Sequence, residues 1–466
     1  MQARLIVVAG LLALAAAPAR AAPNHENMFE HYEGTRTCLE CHEEEAESFF
    51  HSQHYQWRGG APEVVNAAGQ ALGKLEIIND FCTSPAGPQW IGQVKSDDGR
   101  VLARGCSSCH AGRGKLPARE VSDEQLENID CLICHASGYR RDLYPTADGG
   151  WEWKPILWNN QEGMDIVSKR LSSPDRVMCL RCHSASGGGP NYKRGDLEYI
   201  LVKPPREHDV HMAAAGPDMS CVDCHGADDH RVRGRGVDLA ATDSADQLSC
   251  DGACHGAAPH DSARLNAHAE KVYCATCHIP TFARSEPTDM RRDWSEAHYS
   301  DEKGKYAYEV TLQSNVVPVY AWFNGESWIQ KPGESVRRNE RGEVTMVLPQ
   351  GTVDDPAAKI YPFKLHQGVL PLLKDKQWLL PIATEQVYYD GDVDSAVRHA
   401  AEYFYGVTEV DYEWTETIRY MGIFHGVVPS EQALSCNDCH GAGGRMDWQA
   451  LGYGSDPRPT GRRPGQ

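Results

Sequence analysis

Eight short motifs, each with two cysteines and a closing histidine, account for all but one of the seventeen cysteines in this chain. Seven are CxxCH: Cys38/Cys41/His42, Cys106/Cys109/His110, Cys131/Cys134/His135, Cys179/Cys182/His183, Cys221/Cys224/His225, Cys274/Cys277/His278 and Cys436/Cys439/His440. In the remaining one, Cys250/Cys254/His255, a third residue separates the thiols. This is the attachment signature of a c-type haem: the thiols add to the vinyl groups and the adjacent histidine binds the iron. A zinc site would need a second Cys or His pair in register, and the repeats do not call for one. The cofactor set read from the motifs is eight c-type haems with their iron.

An electron-transfer haem carries two axial protein ligands, while a reacting haem keeps one position open or weakly held. Removing the eight motif histidines from the chain's 21 leaves 21 − 8 = 13. If one haem reacts, seven of these are distal ligands. The candidates are His51, His54, His208, His211, His230, His268, His366 and His425. His260 sits close to His268 in the chain, and His25 and His31 are either ligands or tail residues.

The N-terminus speaks to compartment: Arg4 and the apolar stretch Leu5–Ala17, followed by Ala19-Arg20-Ala21, read as a secretory signal peptide. Residues 1–21 are the expected leader, and no later segment approaches the length of a membrane span. Haem attachment to such motifs takes place outside the cytoplasm, so a periplasmic location follows. Loss of Arg4 and Arg20 takes the net charge of −19 to −19 − 2 = −21. So acidic a chain argues against nucleic acid as a partner and suits a basic redox partner.

One haem per few dozen residues leaves little chain for an independent apolar core. The expected fold is therefore mainly α, with many loops and few short strands, organised around eight covalently bound haems. The expected organisation is a seven-haem region over 22–278, a long insert over 279–435, an eighth-haem segment over 436–451 and a disordered tail over 452–466. Within the insert, Tyr308–Asn324 and Glu343–Leu348 alternate as short strands do. Val393–Tyr405 and Glu413–Ile423 carry helical periodicity, and Glu43–Trp57 reads as a helix after the first motif.

Strings outside the motifs resemble the octahaem tetrathionate reductase family. They include His268–Arg284, Asn79-Asp-Phe-Cys82, Gly187-Gly-Gly after Cys179/Cys182/His183, Gly195-Asp-Leu and Asp209-Val-His211-Met. Asn315-Val-Val-Pro318, Trp322-Phe-Asn-Gly325, Tyr361-Pro-Phe-Lys364 and the run from His425 to Cys436 match as well. The resemblance implies seven bis-His haems feeding one catalytic haem that has a distal lysine and a nearby cysteine. It further implies reduction of tetrathionate to thiosulfate, with nitrite and hydroxylamine as further substrates. The matching cysteine is Cys82, the one thiol outside the motifs. It reads either as a small buried hydrophobe or as a thiol beside the substrate S–S bond.

The chain departs from the family at the lysine. Arg140-Arg141 stand where the family's basic pair follows the third motif, and arginine has no lone pair to give iron. Arg113 and Lys115 fall where the family is aromatic. Either Lys115 or another base ligates the iron, or the position is open, and Arg113, Lys115, Arg140 and Arg141 could form a cationic pocket for an oxyanion. The expected partners are a small anionic substrate and a periplasmic or membrane-bound electron donor, quinol-oxidising or a small cytochrome. The reacting iron is expected on His110, with His135 second. A nitrite or hydroxylamine reductase and a non-enzymatic conduit with eight saturated haems are the competing readings.

Overall fold

The computed structural model describes residues 25–81, 90, 104–147, 151–157, 163–234, 243 and 248–458. The expected leader and Cys82 lie outside the described residues, as does the end of the tail beyond 458.

Most motifs sit in a single helical turn. One turn puts residues i, i+3 and i+4 on neighbouring faces, so both thiols and the histidine address one haem. Cys274–His278 and the end of Arg176–His183 (α2) are α-helical, and the second motif starts in a 3₁₀ turn, Cys106–Ser108. The CxxxCH motif solves its extra residue with a wider coil: Asp251–His255 forms a π-helical turn. Thr35–Phe50 (α1) carries the first motif and leaves helical geometry at His42 itself, φ −125° and ψ 36°. The helix expected over Glu43–Trp57 is thus shifted, ending at Phe50 with one further turn at Gln53–Gln56. A hairpin, Tyr139–Pro145 (β1) with Trp151–Leu157 (β2), follows the third motif.

The expectation of a mainly α fold is overturned: 25% of the chain is helical and 23% is strand, with one eight-stranded sheet. Its strands are β3 (Thr288–Ser300), β4 (Lys305–Gln313), β5 (Val319–Phe323), β6 (Ser327–Ile329), β7 (Val344–Pro349), β8 (Lys359–Leu373), β9 (Trp378–Leu379) and β10 (Tyr412–Gly422). The order is β4-β3-β8-β10-β7-β6, with β5 and β9 also on β8. The β8–β10 ladder is antiparallel from Phe363↔Gly422 to Leu373↔Tyr412, while β3 joins β8 in parallel. Helix Val393–Tyr405 (α3) has the bounds its periodicity gave, and it buries Ala396, Val397, Ala400 and Ala401.

The physical reason for the correction lies in where the motifs stop. Between His278 and Cys436 there is no haem to act as core, so this stretch builds its own. Val344, Val347, Phe363, Leu370, Leu372 and Trp294 form its centre, joined by Ala61, Val64, Leu72, Ile77 and Ile78 from the segment after the first motif. Burying an apolar side chain of this size is worth roughly 1.5–3 kcal/mol, enough for a haem-free core to hold a sheet together.

Candidate haem centres and reacting site

All 21 histidines are among the described residues. Seven motif histidines each face one other imidazole. The ring centroids are 6.1 Å apart for His42 and His25, 6.4 Å for His135 and His230, 6.1 Å for His183 and His54, and 6.0 Å for His225 and His425. They are 5.9 Å apart for His255 and His211, 6.2 Å for His278 and His260, and 6.3 Å for His440 and His268. An imidazole nitrogen binds a metal at about 2 Å. Two rings gripping one iron from opposite sides therefore have centroids about 6 Å apart, so each gap fits a haem iron between its two ligands.

Several of these rings are oriented by a second bond, the usual device for fixing a ligand histidine. His135 Nδ1 contacts Ser172 O at 3.1 Å, His225 Nδ1 contacts Arg233 O at 2.8 Å, and His440 Nδ1 contacts Asp456 at 2.6 Å. Burial also pushes His183 down to about 3, which keeps its imidazole neutral, the form that binds metal.

His110 has no facing imidazole. Its Nε2 lies 2.7 Å from the carbonyl of Tyr55, and the rings of Tyr55, Trp57 and Trp90 stand 5.0, 5.6 and 4.7 Å from its own. The cage is locked from behind. The Tyr55 hydroxyl donates to Gln125 Oε1 at 2.8 Å and accepts from Asn128 Nδ2, while Trp90 Nε1 donates to Gly114 O. Trp153 of β2 donates to Ser107 Oγ at 2.9 Å, inside the motif.

The structure brings His54, His211, His230, His268 and His425 to motif histidines, and does not bring His51, His208 or His366 to any. His51 is exposed beside Phe50, and His208 pairs with Glu198 at 3.2 Å. His366 is buried between Asp80 and Asp289 in the haem-free sheet. The distal candidates did not include His25 and His260. His260 could have been found from its place ahead of the seventh motif, whereas nothing in the sequence separates His25 from His31, which instead pairs with Asp165.

The four basic residues do not converge. Lys115 Nζ meets Glu124 at 2.5 Å on an exposed surface. Arg113 runs against Gly34 beside a pocket it lines with Glu33, Thr35, Arg36 and Glu127. Arg140 donates to Tyr139 O and Ser137 O near its own strand. Only Arg141 enters the second motif, donating to Ser107 O, His110 O and Gly112 O and pairing with Asp130 at 2.9 Å. Sequence reasoning passed over Lys74, whose ammonium lies 4.6 Å from the Trp57 ring and whose field reaches Cys109.

Neighbouring motifs touch through their sulfurs. Cys38 meets Cys131, Cys134 lies near Cys182, Cys179 meets Cys221, Cys224 lies near Cys254, Cys250 meets Cys274, and Cys277 lies near Cys439. The motifs thus form one continuous line in the order first, third, fourth, fifth, sixth, seventh, eighth. The second motif branches from the fourth, through Cys109 and Cys182.

Cys41 departs from the picture of attachment thiols enclosed in a haem-built core. It is exposed, and so are Glu40, His42 and Glu43, Glu44 and Glu45 around it, whereas its motif partner Cys38 is half-buried. The reason is its place at the end of the line. Cys38 turns inward to Cys131 of the third motif, and the other thiol of the turn is left on the outward, acidic face of α1. Cys224, Cys254 and Cys436 are exposed as well. A thioether at Cys41 would therefore sit at a solvent-facing haem edge, a position the CxxCH spacing does not reveal.

Attachment motifs in contact, with imidazoles paired across gaps that fit iron, define a multihaem c-type cytochrome. The comparisons with known proteins agree. The family model for bacterial cytochrome c matches residues 279–443, a stretch with a single attachment motif, so the match does not rest on repeated cysteines. The crystal structure of octahaem cytochrome c from Shewanella oneidensis is similar, with TM-score 0.74 and 30% identity over 94% of this chain and 98% of that one. An uncharacterized protein of Archaeoglobus fulgidus is 33% identical over 239 residues, 44% of this chain and 77% of that protein. The chain belongs to the octahaem c-type cytochromes, redox proteins with covalently bound haem. Among the described residues no helix is long and apolar enough to cross a membrane.

Proposed function

We propose that this octahaem cytochrome is a periplasmic reductase of a small oxyanion, most favourably tetrathionate, reacting at the haem carried by Cys106, Cys109 and His110. The observation that carries the reading is the missing partner of His110: seven motif histidines face a second imidazole, and this one faces none. In the proposal the seven facing pairs are the axial ligands of electron-transfer haems. When bound, the haems supply electrons one at a time.

Tetrathionate gains two electrons, its central S–S bond breaks, and two thiosulfates leave with four negative charges between them where the substrate had two. The chain's own residues serve the step in three ways. Tyr55, Trp57 and Trp90 exclude water around His110, which strengthens electrostatic interactions there. Arg141 fixes the motif backbone, and Lys74 adds positive charge toward the developing anions. Cys82 is assigned the role of thiol beside the substrate, where sulfur exchange is natural chemistry.

Reduced viologen, with tetrathionate, nitrite or hydroxylamine as oxidant, tests the proposal. Turnover with tetrathionate that falls at least tenfold in Cys82→Ala is expected, alongside one high-spin haem signal among eight. Absence of turnover with all three oxidants would remove the reductase reading. Eight low-spin signals would leave an electron conduit in its place. The nitrite reading has one observation in its favour: a haem position facing no protein imidazole suits a ligand that binds iron directly. Nitrite turnover that is insensitive to Cys82→Ala would select it.

A further inference from the structure

The haem-free sheet holds a chain of buried charges that none of the haem pairs explains. Asp80 is at its centre. Arg419 of β10 donates from Nε to Asp80 Oδ1 at 2.6 Å, and His366 of β8 bonds the other carboxylate oxygen through Nδ1. The far nitrogen of His366 lies 3.3 Å from Asp289 Oδ1 on β3, and Arg292 closes the line on Asp289 at 2.6 Å. None of these five side chains is more than 1% exposed. Burial works to raise the Asp80 carboxyl, but Arg419 and His366 outweigh it and hold it well below the usual carboxylate range.

A buried ionic chain is weak evidence of a stabilising role, because well-packed apolar residues of similar volume often serve stability as well or better. Directional bonds do fix a backbone in place. This chain grips one short segment from every side. Trp294 Nε1 donates to Asp80 O at 2.9 Å, Arg292 Nη1 donates to Phe81 O at 2.5 Å, and Phe81 N donates to Asn79 Oδ1. The Phe81 ring stacks on His366 with centroids 4.2 Å apart. Arg292 also donates to Gly187 O at 2.7 Å, and a Cβ at Gly187 would come within 3.2 Å of Phe81. The segment is thereby wedged between the sheet and the loop after the fourth motif. Upstream, the same stretch of chain begins at Lys74, on the Trp57 ring of the His110 cage. The residue that follows Phe81 is Cys82.

We infer that Asp80, His366, Asp289, Arg292 and Arg419 are positioning residues, through which the haem-free sheet fixes the backbone leading into Cys82 for the reaction at the His110 haem. They touch neither haem nor substrate and act through the main chain of Asn79–Phe81. The inference rests on the role proposed for Cys82, and it assigns the haem-free sheet a purpose in the reaction.

The test uses matured holoprotein, in which Cys82 is the one cysteine not bound to haem, so a fluorescent iodoacetamide labels a single position. Its labelling rate is compared between the natural protein, Asp80→Asn, and Arg419→Lys, which keeps the charge and so guards against a misfolded first variant. The expected result is at least a fivefold change in labelling rate in both, with haem absorption and EPR spectra unchanged. With tetrathionate, kcat is expected to fall at least tenfold and KM to stay within about twofold, since substrate-binding groups are untouched. Labelling at the natural rate in Asp80→Asn and Arg419→Lys would overturn the inference. Failure of the natural protein to turn over tetrathionate would instead strike the proposed function, and the labelling comparison would still decide the positioning role.

Discussion

Arg141 places a guanidinium nitrogen 2.6 Å from the carbonyl oxygen of His110, so the residue standing where the family resemblance leads one to expect a lysine ligand is bonded to the motif backbone instead. It spans the turn from Ser107 to Gly112 and is neutralised by Asp130, which also accepts from Tyr139. Both partners of the pair are buried, at 5% and 3% exposure. Arg141→Ala would strand Asp130 without its cation, and breaking such a pair costs about 3–5 kcal/mol. The expected outcome is a lower unfolding midpoint together with a change confined to one haem signal, that of the second motif. A variant whose EPR spectrum stays unaltered would show that Arg141 does not shape this haem site.

The contrast between His425 and His208 tests the assignment of ligands by ring spacing. His425 faces His225 and is braced by Asp196 at 3.0 Å, whereas His208 pairs only with Glu198. His425→Ala should turn one low-spin haem high-spin and leave the rest untouched. His208→Ala should leave all haem spectra intact while orphaning a buried carboxylate, at about 1–3 kcal/mol of stability. A spectral change in the second variant and none in the first would reverse the assignment.

Residues adjacent in the chain were legible, and residues joined only by the fold were not. Covalent haem attachment needs two thiols and a histidine within one helical turn, so all eight motifs can be read directly. A distal ligand has no such rule, which is why His54 and His51, one turn apart, end up so differently. The sheet was hidden for a related reason. Lys359–Leu373 is buried along both faces, so the alternation that marks a half-exposed strand is lost. Tyr412–Gly422 imitates a helix because Arg419 is buried in the charge network around Asp80, placing a charged residue where the pattern reserves a place for an apolar one.

Lys364 gives the fold a pH dependence with a definite sign. Its ammonium donates to Tyr192 O, Lys193 O and Thr288 Oγ1 at 2.7–2.9 Å. Burial pushes it down to about 7 from 10.5, with Asp289 and Asp80 pulling the other way. Because the folded value lies below the unfolded one, the unfolded chain binds more protons between pH 7 and 10.5. Stability due to this lysine therefore rises with pH across that window, and the cost is fully present below it. Each pH unit contributes at most about 1.4 kcal/mol. The unfolding free energy of the natural protein minus that of Lys364→Met should climb between pH 7 and 10. Parallel curves would show that the ammonium is not titrating there.

The branch at the fourth motif predicts where electrons bound for the His110 haem must pass. Cys109 meets Cys182 of the fourth motif, while the other motifs line up without it. The fourth haem is assigned His183 and His54 as ligands, their rings 6.1 Å apart. Exchanging an axial histidine for methionine raises a haem's potential, and an electron held on a more oxidising haem is harder to pass onward. For a one-electron carrier, each rise of about 59 mV lowers the onward equilibrium tenfold. His54→Met should raise the potential of one haem in a spectroelectrochemical titration and slow oxyanion reduction at least several-fold. His268→Met, at the far end of the line on the eighth motif, is the matched control: it should raise one potential equally and slow turnover only if electrons enter there. Equal slowing by both variants would place electron entry at the eighth haem. Turnover left untouched by His54→Met, with the potential shifted, would mean that the second haem receives its electrons by some route other than Cys182.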